Sequence, residues 1–226
     1  MTAAAHAAHG HHYTTTGLDN RKIAVWAFIG SECLFFGSLI STYLIYKGRS
    51  LVGPLPHEWW CPSTGARAVE SAGQALLQTC PDAMKPILNI PVTSASTFVL
   101  LMSSLFMVLA HSAVARGDRK YSKIWLLGTA LAGTMFLGFQ AYEFTSFVHE
   151  GLTMRTNLFG SSFFVLTGFH GAHVTAGVIW LLTLFFIDLK RGLRPTDAIN
   201  VDLCALYWHF VDVVWIAIFT LIYLIP

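Results

Sequence analysis

The segment Tyr207-Trp208-His209-Phe210-Val211-Asp212-Val213-Val214-Trp215 sets an imidazole and a carboxyl one turn apart inside an otherwise apolar stretch, Ala205 to Ile225. An ionisable group facing lipid at the centre of a membrane helix costs at least about 2.5–3.5 kcal/mol on insertion scales. His209 and Asp212, framed by Trp208 and Trp215, must therefore face protein, a bound headgroup or a water-filled cleft. Three other stretches pose the same problem. Ser31 and Glu32 interrupt apolar and aromatic residues about ten positions in from Ile23, which at 1.5 Å per residue puts the carboxyl about 15 Å deep. Gln140 and Glu143 share a helix face at i, i+3. Thr167-Gly168-Phe169-His170-Gly171-Ala172-His173 brings two histidines to one face. Burial penalises the charged form of a carboxyl. Glu32 therefore reads either as a proton-handling or lipid-cleft group, or as a neutral acid bonded to a neighbouring helix. Gln140 and Glu143 read equally well as an interfacial hydrogen-bond network or as a more specific device.

His111, His170, His173 and His209 are of the type that ligates haem or zinc. Their spacing speaks against it: there is no His-Glu-x-x-His pattern, and no two segments offer matched histidine pairs to hold stacked haems. Ser161 or Ser162 near His170 is a composition match, not an activated nucleophile with a base in reach. The expectation is a chain with no catalytic, metal-binding or cofactor-binding residue of its own. The alternative from another class is an independent membrane transporter using Glu32, Glu143 and Asp212. Carriers typically show paired broken helices in two similar halves, and unlike spans do not supply that.

These groups need membrane helices to position them. The chain is 54% hydrophobic and 12% charged, against about 25% charged for a soluble domain, so an integral membrane protein is expected. A net charge of +2 is too small to suggest nucleic acid. The fold class read from this is all-α, a bundle of five transmembrane helices at about 23–46, 94–114, 124–147, 160–187 and 205–225, each near the 20 apolar residues a bilayer requires. Residues 1–22 form a polar tail with His6, His9, His11 and His12, read as solvated rather than metal-binding. Arg21, Lys22, Arg116, Arg119, Lys120, Lys123, Lys190, Arg191 and Arg194 fall on the N-terminal side of the bundle. Lys47, Arg49, Arg67, Lys85 and Arg155 fall on the other. The excess favours a cytoplasmic N-terminus and an external C-terminus.

That orientation places the long loop 47–93 outside the cytoplasm, where disulfides persist. Cys61 and Cys80 both lie in it, and the helical spacing of Val69, Ala72, Gly73, Leu76, Leu77 and Cys80 predicts a short amphipathic helix between them. A Cys61–Cys80 bridge would close a loop of about 20 residues and contribute roughly 3 kcal/mol. Cys33 and Cys204, on the first and last helices, are expected to be unpaired.

Over residues 23–226 the chain resembles subunit III of the haem-copper respiratory oxidases. The matching residues are Trp26, Ser31-Glu32 and Phe35-Phe36, then Gln140-Ala141-Tyr142-Glu143-Phe144 and Gly160-Ser161-Ser162-Phe163-Phe164. Thr167-Gly168-Phe169-His170-Gly171-Ala172-His173-Val174 and Tyr207 through Trp215 follow, and are the most specific. Asp202 stands where many members carry Glu. The resemblance implies an accessory subunit packed beside a catalytic subunit I, with haem and copper in partner subunits I and II and none here. It implies a lipid-containing cleft lined by Glu32 and His173, with His170 beside them, and support for proton uptake and turnover. It points to bound phospholipid, a bacterial plasma membrane, and cytochrome c or a cytochrome domain as donor. Gln140, Glu143, Asp202, His209 and Asp212 are expected to form buried polar contacts, and Trp26, Trp208 and Trp215 to pack or meet lipid. The five-helix form implies that part of the cleft wall comes from another subunit or that the cleft is more open. The wording around Glu32 and Thr167–His170 is more like the cytochrome c branch than the quinol branch. A related subunit of nitric oxide reductases is a further, smaller possibility.

Overall fold

The computed structural model describes residues 19–47, 59–60, 85–86, 88–149, 151–155 and 157–225. The histidine tail, Cys61, Cys80 and the helix expected between them lie outside the described residues. Five helices are long and apolar enough to cross a membrane: α1 Asn20–Tyr46, α2 Ile90–Ala115, α3 Arg119–His149, α4 Leu158–Arg191 and α5 Ala198–Phe219. A single π turn, Thr220–Leu224, continues α5. In the loop, Trp59–Trp60 and Lys85–Pro86 pair as a two-residue antiparallel ladder, a local feature that leaves the fold all-helical.

The helices outrun the apolar windows because polar caps extend them past the hydrocarbon. Asp19 accepts the Arg21 amide and starts α1 early, and Asn89, followed by Pro91, caps α2. The largest difference is in α5, expected to begin at 205 but starting at Ala198. A 3-10 turn with Pro195 at its first position feeds directly into the helix, so Asp202 lies on α5 and not in a loop. At 34 residues, or about 50 Å, α4 exceeds the bilayer core and must tilt or protrude. It ends at Gly192, whose φ of 72° suits a residue without Cβ.

Helix α5 is the hub. It packs on α1, α2 and α4; α4 also packs on α1 and α3, and α3 on α2. Among the described residues helix α1 rests mainly on α4 and α5. The core at the hub is built around Trp208, fully buried between Gly133 of α3 and Gly177 of α4. A Cβ on either glycine would come within 2.6 and 2.7 Å of the indole, so both positions must stay bare for the ring to enter. Close approach at small residues is how helices associate where lipid removes the hydrophobic drive.

Candidate functional site

The polar groups gather mainly at two seams, with further contacts between α2 and α3 and between α3 and α4. In the first, α1 meets α4. Glu32 stands 12 residues into α1, about 18 Å along it, and its Oε2 lies 3.2 Å from Nε2 of His173. The other ring nitrogen, Nδ1, lies 2.8 Å from the Phe169 carbonyl. A carbonyl only accepts, so Nδ1 carries a hydrogen. The contact at Nε2 then requires one further proton, held either on the carboxyl or on the imidazole. The two side chains thus share one proton between Nε2 and the carboxyl. Both side chains keep 18% of their surface exposed. Phe36 meets the His173 ring edge-on at 5.0 Å, and Phe35 meets Phe169 at 5.2 Å, so the pair sits among aromatic rings with one open side.

In the second seam, α5 meets α2. Residues 208, 212 and 215 recur at i, i+4, i+7 and face a stripe of hydroxyls. Trp208 Nε1 donates to Ser103 at 2.9 Å, and Trp215 Nε1 donates to Thr97 at 2.9 Å. Ser104 donates to Asp212 Oδ2 and lies 2.9 Å from His209 Nδ1. Thr93, on the same stripe, bonds Glu143 of α3, and Gln140 Nε2 donates to the Thr167 carbonyl of α4 at 2.7 Å. At the end expected to be cytoplasmic, Asp188 is fully buried and takes the Ser122 hydroxyl at 2.6 Å and the Leu193 amide at 2.8 Å.

Several expectations need correcting in their geometry. His170 was placed on a shared face with His173, but about 60° of helix separates them. That turn carries His170 into the core, fully buried, stacked on Trp215 at 4.8 Å and edge-on to Phe136. Asp202 does not join a buried network; half-buried near the helix start, it pairs with Lys22 at 2.6 Å. Trp208 and Trp215 pack as expected, against hydroxyls and rings inside the bundle. Trp26 is 59% exposed on α1, as a lipid-facing residue would be. Gln140, Glu143, His209 and Asp212 are buried or half-buried; His209 and Asp212 share Ser104, while Gln140 and Glu143 bond elsewhere. Cys33 and Cys204 are free.

The sequence reading missed the partners: Thr93, Thr97, Ser103 and Ser104 on α2, and the Asp188–Ser122 contact. A signal existed. Hydroxyls at 93, 97 and 104 repeat at helical spacing in an apolar run, and Asp188 is an acid in the last turn of a helix, where the dipole disfavours it. Among the described residues no three His, Cys, Asp or Glu side chains converge as metal ligands would. The carboxyls of Glu32, Glu143 and Asp212 face three different helix pairs and line no common path.

The family model for cytochrome c oxidase subunit III matches residues 2–225. A cytochrome c oxidase subunit 3 from Bacillus sp. (strain PS3) is 37% identical over 205 residues, 91% of this chain and 86% of that protein. A quinol oxidase subunit 3 from Bacillus subtilis (strain 168) is 35% identical over 225 residues, 97% of this chain and 96% of its own. The cytochrome c oxidase subunit 3 of the same B. subtilis strain is 34% identical over 206 residues, 91% of this chain and 86% of its own.

Proposed function

The chain belongs to the cytochrome c oxidase subunit III family, and from that premise we propose that it sustains proton uptake by the catalytic subunit of a cytochrome c oxidase. It is a subunit III of a haem-copper oxidase, a multi-pass membrane protein whose partners are other oxidase subunits. The observation that carries the proposal is the Glu32–His173 pair. It is a one-proton unit at mid-depth, open on one side, in a bundle whose buried carboxyls Glu143, Asp188 and Asp212 each bond a hydroxyl of a neighbouring helix. In this reading the open side of the α1–α4 seam meets phospholipid, part of the cleft wall comes from a neighbouring subunit, and haem and copper belong to subunits I and II. The N-terminus is cytoplasmic, with Arg21, Lys22, Lys190 and Arg191 at that end, in the plasma membrane of a bacterium.

The assay is sustained turnover of the purified complex. With Glu32→Gln the pair loses its acidic proton; initial oxygen consumption should match the native complex while activity decays faster over successive cycles. An unchanged decay would remove the proton role. The quinol reading is favoured by one observation, the near full-length match to the quinol oxidase subunit 3. Oxygen uptake driven by reduced cytochrome c but not by quinol supports the proposal, and the reverse result replaces it.

A further inference from the structure

Tyr207 of α5 is buried on the side of the hub that faces α1 and α4. A buried phenol needs a partner for its O–H, and Tyr207 donates to the main-chain carbonyl of His173 at 2.9 Å. Inside a helix that oxygen also takes the amide four residues on, and the side chain at residue 177 is the one that would crowd it. Residue 177 is glycine. A Cβ there would come within 3.3 Å of Tyr207 Cε1, so the bare position that admits the Trp208 indole also admits the phenol ring. The consecutive residues Tyr207 and Trp208 thus share one notch in α4.

The same ring reaches the other partner. On α1, Phe28, Glu32 and Phe36 follow one another at i, i+4 and i+8. Phe28 stacks on Tyr207 at 6.3 Å, and Phe36 meets Phe210, one turn further along α5, at 6.3 Å. Glu32 is therefore set between two rings that both rest on α5, and its carboxyl lies within electrostatic reach of the Tyr207 phenol. Trp180 of α4 backs the phenol ring at 5.9 Å. His173 is fixed at Nδ1 by the Phe169 carbonyl of its own helix and at its own carbonyl by Tyr207. The 3.2 Å separation of Oε2 from Nε2 is thus set from α5 as well as by α1 against α4. The other titratable side chains around the pair are His170, turned into the core against Trp215, Cys204, buried one turn before Tyr207, and Cys33, exposed on α1.

We propose that Tyr207 is a positioning residue for proton transfer at the Glu32–His173 pair: its ring holds α1 and its hydroxyl holds α4 at the spacing where one proton is shared. The proposal rests on the proton reading of the pair and names the α5 residue on which that reading depends. Proton transfer needs the two heavy atoms within about 2.6–3.2 Å, and at 3.2 Å the pair stands at the outer limit of that reach. A small slip of α1 against α4 breaks the contact with little loss of packing, because the rings around it stay in place. Deleting the phenol oxygen alone permits that slip.

The test is sustained turnover of the intact purified complex, with the decay of activity followed as a function of pH. Tyr207→Phe keeps the ring on Phe28 and over Gly177 and removes only the hydroxyl. Its decay should be about threefold faster than native or more, threefold being the ratio that corresponds to ~0.6 kcal/mol for one hydrogen bond between membrane helices. The pH dependence of the decay should shift with it, which a packing role alone would not cause. In the double variant Tyr207→Phe with Glu32→Gln the decay should equal that of Glu32→Gln, because the hydroxyl acts through the pair; multiplied effects overturn the proposal. Tyr43→Phe deletes another buried phenol oxygen, near the far end of α1, and should decay as the native complex does. An equal effect from Tyr43→Phe overturns the proposal, as does a Tyr207→Phe chain that is lost from the complex or melts early in proportion to its decay. Native decay in Tyr207→Phe beside fast decay in Glu32→Gln removes Tyr207 and leaves the proton reading standing. Native decay in both removes both.

Discussion

Helix α5 is held on two sides by different means. Against α2, indole N–H groups and a carboxyl meet hydroxyls at 97, 103 and 104, with Trp208 seated between two glycines behind them. On the other side, α1 rests on α4 and α5 through aromatic edges, one proton-sharing pair and, at its start, the Lys22–Asp202 ion pair. Only 11% of the apolar window of α1 is buried, against 56% for the last span. In lipid, apolar contact alone scarcely distinguishes a protein neighbour from an acyl chain, so helix order is set by close packing and polar pairs. The α2–α5 seam has many of both and fixes the bundle. The α1 seam has few along its apolar length, where the Glu32–His173 pair is partly open to the surroundings, and its other polar contacts lie at the helix ends, Lys22 with Asp202 and Lys47 with the Ile225 carbonyl. Rigidity and reactivity lie on opposite sides of the same hub.

The strongest way to break the contrast is to empty the hub. Trp208→Ala removes a fully buried indole and its bond to Ser103, and should cost about 3–5 kcal/mol, read as lower thermal stability of the purified complex and reduced accumulation of the chain. Gly177→Ala works from the opposite direction. Its Cβ would meet rigid ring carbons of Trp208 at 2.7 Å, and the overpacking should cost about 1–3 kcal/mol. Gly30→Ala in α1, where nothing stands within 4 Å of an added Cβ, should leave the same melting curve in place.

Next in size are the polar staples. Asp212→Ala leaves Ser104 without its acceptor, and Trp215→Phe keeps a ring against His170 while deleting the N–H to Thr97. Each should cost about 0.6–1.7 kcal/mol, the span found for hydrogen bonds between membrane helices. A double-mutant cycle of Trp215→Phe with Thr97→Val should recover a coupling of that order; additive losses would mean that the indole N–H contributes nothing through Thr97.

What could be read beforehand follows the same division. The five spans were legible because twenty apolar residues in a row have few other uses, and Glu32, His209 and Asp212 stood out because ionisable groups in such runs are costly. The partners were less legible. Thr93, Thr97 and Ser104 are ordinary residues for a membrane helix, and only the rotation of α2 against α5 turns them into acceptors and donors. His170 shows the limit of face assignment: two histidines three residues apart share a face loosely, yet 60° separates a core position from a seam. The start of α5 was misplaced because hydropathy sees the hydrocarbon, whereas the helix is begun by Pro195 and runs through polar residues first.

The finest discrimination lies within the α1 seam. His173→Phe keeps the ring packing against Phe36 but strands the Glu32 carboxyl, and should loosen α1 measurably, by up to about 1.7 kcal/mol. Glu32→Gln should do less. Since Nδ1 of His173 must donate to Phe169, Nε2 needs a donor opposite it, and the glutamine amide supplies one. The hydrogen bond survives while the exchangeable proton is lost, so the change in stability should stay below about 0.6 kcal/mol. The informative measurement is the two variants side by side, melting temperature against decay of turnover. If His173→Phe shifts both and Glu32→Gln shifts only the decay, the seam's cohesion and its proton are separable. If both variants melt early and decay in proportion, the pair holds α1 in place and does no more than that.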